Sequence, residues 1–65
     1  MITSSWISIM KCRPEIDYEL ELMVGDKIIS NAEIVWVNGL YHFRKIDTKY
    51  EIFEYVSKWR YVIVK

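Results

Sequence analysis

The side chains here that could do chemistry are few: one histidine, His42, one cysteine, Cys12, beside Arg13, and the carboxylates Glu19 and Glu21 two residues apart. An imidazole acts as a general base when a nucleophile or substrate proton lies within hydrogen-bond reach. No motif supplies a partner for His42, which sits between Tyr41 and Phe43 and reads as an ordinary strand residue. A thiolate stabilised by a neighbouring guanidinium can be nucleophilic, but Cys12 has no second cysteine to resolve it. Glu19 and Glu21 have the spacing of carboxylates on one strand face, where like charges serve as a solvated, edge-protecting surface. Gly25 and Gly39 are isolated turn residues and form no phosphate-cradling loop. One cysteine rules out an internal disulfide, and one histidine beside it rules out Cys/His zinc spacings. The expectation is a protein that is not an enzyme and uses neither metal nor cofactor.

The elements that carry these residues are strands. Trp6-Ile7-Ser8-Ile9 alternates and is rich in β-formers, giving a short first strand, and Pro14 marks the loop after it. Residues 18–24 alternate more clearly, with Tyr18, Leu20, Leu22 and Val24 on one face and Glu19, Glu21 and Met23 on the other. Gly25-Asp26 fits a two-residue turn with glycine first, and residues 27–30 then return antiparallel. Asn38-Gly39 is the strongest local signal, because the tightest hairpin turn needs two positive-φ residues. That turn sets Val37 opposite Leu40, Trp36 opposite Tyr41, Val35 opposite His42, Ile34 opposite Phe43 and Glu33 opposite Arg44. Ala32, Ile34, Trp36, Tyr41 and Phe43 then share a face. The two hairpins demand opposite parity of one connecting strand, so a bulge or bend is predicted near Ser30-Asn31. Thr48 with Glu51 three residues later suggests a capping box, and Ile52, Val56 and Trp59 fall on one helical face, so a short helix is expected over residues 47–55. Residues 59–64 close the chain as a strand, with Lys65 as a charge at its end. The fold class is β-dominated, becoming α+β with that helix: a small antiparallel meander of about five strands curled towards a barrel.

The 65 residues make one domain, residues 1–65. So short a chain hides only about 60% of the surface its unfolded form exposes. Without disulfide or metal it depends on aromatic packing or self-association. Three Trp, five Tyr and two Phe exceed what so small an interior can hold, which places some rings at the surface. Nine basic and nine acidic residues cancel, so the global charge carries no nucleic-acid footprint. No apolar run approaches a membrane span, and the first residues lack the charge and apolar stretch of a signal peptide. A lone thiol then fits a reducing cytoplasm.

The opening Trp6-Ile7-Ser8-Ile9, followed by Pro14-Glu15, resembles a family of small uncharacterised phage and prophage domains that open with W-I-S-V and L-P-E. The family closes with V-T-H-W and M-P-L-P, for which Val56-Ser57-Lys58-Trp59-Arg60-Tyr61 stands here. Arg13 replaces the family's leucine, Lys58 its histidine and Arg60 its methionine, and its closing prolines are missing. The resemblance implies a phage-type accessory protein in a bacterial cytoplasm and no reaction.

Three functions are expected from these features. The first is non-catalytic binding of a host protein, inhibiting an immune factor in the manner of an anti-CRISPR or a transcription enzyme. Trp36, Val37, Leu40 and Tyr41 would make the contact, with Glu19 and Glu21 as a steering patch. The second is binding of single-stranded nucleic acid or nucleotides by a small β-barrel. It would use Tyr41, Phe43, Arg44 and Lys45, supplemented by Lys58, Trp59 and Arg60. The third is self-association, with residues 61–64 pairing edge to edge in a homodimer.

Overall fold

A computed structural model describes residues 2–63. Its strands are β1 (Ile2–Thr3), β2 (Ile7–Ser8), β3 (Leu20–Val24), β4 (Lys27–Val37), β5 (Leu40–Lys45), β6 (Glu51–Ile52) and β7 (Lys58–Ile63). They form one antiparallel sheet in the order β1-β7-β3-β4-β5-β6, with β2 also on β7. The sheet curls without closing, since β1 and β6 at the ends of that order do not pair. The β-dominated, curled meander is therefore present, with seven strands where about five are expected.

Both local turns form as their residues dictate. Asn38 and Gly39 take φ of 54° and 80°, and β4 pairs with β5 in the register set by that turn, from Val37↔Leu40 to Glu33↔Arg44. Gly25 has φ 59°, and Val24 pairs with Lys27 across it. The parity conflict is resolved where it falls. Leu22 opposes Ile29 and Leu20 opposes Ala32, so Glu21 alone faces Ser30 and Asn31. Asn31 has φ 59°, a conformation that Asn tolerates better than most side chains. The bulge lets the 11-residue β4 turn Ile29 inward before it and Ala32 and Ile34 inward after it.

The core is Leu20, Leu22, Ala32, Ile34, Phe43, Ile52, Val56 and Trp59, with Ile7, Ile9, Val24, Ile29 and Tyr61 packed against it. Trp59, 2% exposed, donates its indole N–H to the Cys12 carbonyl at 2.9 Å, which ties the loop after β2 over the inner face. Pro14 of that loop is buried.

The expected helix at residues 47–55 is replaced by a turn and a strand. Thr48 N donates to Asp47 Oδ1 (2.8 Å), Tyr50 N to Thr48 Oγ1 (3.3 Å), and Lys49 takes φ 61°. Thr48 thus serves the turn, and Glu51 reaches across to His42 instead of back to a helix N-terminus. The β-favouring residues prevail because Ile52 is buried opposite Phe43, whereas so short a helix gains little for its nucleation cost. The closing strand is also not an edge. β7 is flanked by β3 on one side and by β1 and β2 on the other, so Tyr61, Val62 and Ile63 are not an open run for a second copy. Val64 and Lys65, the end of the expected run and its charge, lie outside the described residues.

The bulge predicts opposite responses to two substitutions. Asn31→Val should destabilise the fold by about 1–2 kcal/mol because a β-branched residue resists positive φ. Asn31→Gly should leave it within about 0.5 kcal/mol. Urea denaturation checks both, and equal losses would contradict a positive-φ bulge.

Candidate binding surface

The pairing limits create a projecting ribbon. β4 leaves β3 at Ala32, and β6 accompanies β5 only at Phe43 and Arg44. Residues 35–42 are consequently two strands with a turn, and two strands alone cannot bury both faces. Trp36 (50% exposed) and Tyr41 (36%) occupy one face, Val37 (49%) and Leu40 (66%) the other. The four residues expected to contact a partner are thus brought together and are exposed.

The aromatic face is ordered by its own contacts. The Trp36 and Tyr41 rings lie 5.9 Å apart, and Tyr41 meets buried Phe43 edge-on at 5.8 Å. The Arg13 guanidinium lies 5.4 Å from the Trp36 ring centre and 5.1 Å from that of Tyr41. A cation over a ring face is attracted by the ring quadrupole, so Arg13 bridges the two rings. On the outer face, the ribbon's base is polar and paired: Arg44 Nε donates to Glu33 Oε2 at 2.7 Å, and His42 Nδ1 meets Glu51 Oε2 at 2.9 Å. Glu51 is the only hydrogen-bond partner of the His42 side chain among the described residues, and the pair joins β5 to β6. Charge pairing stops there, and towards the tip only Val37 and Leu40 remain.

The other expected site residues are arranged differently. Glu21 is not a free steering charge, because Arg60 donates to it from Nε at 2.8 Å and from Nη2, with both side chains mostly covered. Glu19 lends its backbone carbonyl to Val62 N (3.0 Å), and its carboxylate makes no salt bridge among the described residues. The nucleic-acid set is not assembled as a stacking surface. Phe43 and Trp59 are core residues, Arg44 and Arg60 are held by carboxylates, and Lys45 Nζ donates to the Ser30 carbonyl at 2.6 Å. Tyr41 and Lys58 are the exposed members. Cys12 is exposed, and among the described residues no group of three His, Cys, Asp or Glu side chains could hold a metal. No helix among those residues is long and apolar enough to cross a membrane.

Sequence reasoning missed a second exposed aromatic group. After Ile52 the chain turns away from β5, leaving a groove of about 440 Å³ lined by Tyr41, Glu51, Phe53, Glu54 and Tyr55, among others. Phe53 is 79% and Tyr55 67% exposed. Their spacing around Ile52 looks helical, and this hid them; Tyr50-Glu51-Ile52, read as a strand, would have placed Phe53 on the outer side. Tyr41 belongs to both the groove and the tip.

No protein-family model, curated protein or solved structure matches the chain.

Because the tip residues touch little of the core, Leu40→Asp should change stability by no more than about 0.5 kcal/mol. Trp59→Ala should cost about 3–5 kcal/mol, enough to unfold so small a domain. Thermal denaturation followed by circular dichroism separates the two, and a large loss in Leu40→Asp would mean that the tip is packed.

Proposed function

We propose that the chain acts by non-catalytic binding of another protein, through the tip of the β4–β5 hairpin. The observation that carries this reading is the joint exposure of Trp36, Val37, Leu40 and Tyr41 on a ribbon that its own sheet leaves uncovered. Contiguous apolar surface of this kind marks interaction sites, and Trp and Tyr are enriched among the residues that dominate binding energy. Tyr41 and Trp36 are also held in place before any partner arrives, which lowers the entropic cost of association.

The resemblance of Trp6-Ile7-Ser8-Ile9 and Pro14-Glu15 to phage domains supports a phage-type accessory protein in a bacterial host, and the proposed act of the exposed tip is to occlude a host immune or transcription factor. Binding of single-stranded nucleic acid is the weaker reading, since Phe43 and Trp59 are buried and Arg44 and Arg60 are paired, leaving Tyr41 as its one exposed ring.

Capture from bacterial lysates by tagged wild-type chain and by Leu40→Asp tests this directly. A stoichiometric host protein should be retained by the wild type and lost, by about 30-fold or more in affinity, by the variant. Equal capture by both, or none across several hosts, would refute the tip as the binding surface.

A further inference from the structure

We propose that the groove beside the tip takes an arginine side chain from the bound protein. The inference deepens the protein-binding reading by naming what the partner must present. Three exposed rings, Tyr41, Phe53 and Tyr55, line the groove together with the carboxylates of Glu51 and Glu54; Arg13 already stands over Tyr41, so Phe53 and Tyr55 are the rings left to meet a further cation. Its one basic side chain, His42, is hydrogen-bonded to Glu51, and Glu54 makes no salt bridge among the described residues. Ring faces and carboxylates both attract a cation.

The chain builds the same combination elsewhere with its own arginine. Arg60 Cζ lies 4.1 Å from the Trp6 ring centre while its guanidinium donates to Glu21. In that cluster an aromatic face and a carboxylate together hold one guanidinium. The groove offers the same two components, and a guanidinium fits both better than an ammonium does, because it is planar, stacks on rings and forks onto carboxylates. The position also suits a bound protein. Tyr41 is shared with the tip, so an arginine beside the hydrophobic contact completes one continuous footprint.

The test is a titration of the isotope-labelled full chain with Nα-acetyl-arginine amide and with its uncharged isostere, Nα-acetyl-citrulline amide, followed by amide chemical shifts. The arginine compound should move Tyr41 and residues 53–56 saturably, and the citrulline compound should not. Tyr55→Ala and Glu54→Gln, both at exposed positions, should each weaken the response about two- to fivefold. Met10→Ser, at an exposed site away from the groove, should leave it unchanged. Equal shifts with both compounds, no shift in the groove, or a response indifferent to Tyr55→Ala would overturn the assignment. Sedimentation supplies a further arm. A dimer of the wild type dissolved by arginine amide would put the chain's own arginine in the groove and overturn a foreign partner. The titration needs no partner, so its failure is distinguishable from a failed capture by the tip.

Discussion

The architecture depends on a single backbone irregularity, the bulge at Ser30-Asn31 opposite Glu21. Strand side chains alternate strictly, so a regular β4 could turn Ile29 inward or Ala32 and Ile34 inward but not all three. The extra residue reverses the alternation midway. It allows one strand of 11 residues to complete two hairpins and supply Ile29, Ala32 and Ile34 to the same interior. A bulge also sharpens the local twist, which is how a sheet this small curls over a core without closing. The bulged residues are tied into the surroundings: Asn31 accepts Ile46 N at 2.9 Å, and the Ser30 carbonyl accepts Lys45 Nζ.

The same strand explains why greasy side chains remain wet. β4 outruns β3 by five residues, 33–37, and only β5 follows it there. At the base of that extension Glu33, His42, Arg44 and Glu51 pair with one another, which makes the outer face soluble. At the tip the sequence supplies Trp36, Val37, Leu40 and Tyr41 instead of charge. A neutral ribbon of this composition exposes edges and faces that folded proteins ordinarily blunt. The Arg13 guanidinium against Trp36 and Tyr41 orders the rings and leaves the surface available. Side chains held in place yet uncovered are what the proposed binding rests on.

What the sequence reveals and what it hides follow from the range of the interactions. The β4–β5 register was legible to the residue because Asn38-Gly39 fixes it locally, and the bulge followed from the parity of two adjacent turns. The central place of β7 was not legible, since its neighbours Leu20 to Met23 and Ile2 to Ser8 are far away in the chain. Hidden with it were the Arg60–Glu21 pair and the role of Trp6, which depend on β7 meeting β3. The segment 47–55 misleads because Thr48 and Glu51 have the spacing of a cap, while their actual bonds, to Tyr50 N and to His42, become visible only once β6 lies on β5. Of the candidate surface, the tip could be read from the sequence and the Phe53–Tyr55 groove could not.

The interior shelters Trp59, and the hairpin tip keeps Trp36 in water. Fluorine-labelled tryptophan, observed at concentrations where the chain is monomeric, tests it through the solvent isotope shift of each indole. A large shift is expected for half-exposed Trp36 and almost none for Trp59. A Trp36 as sheltered as Trp59 in the isolated monomer would contradict it.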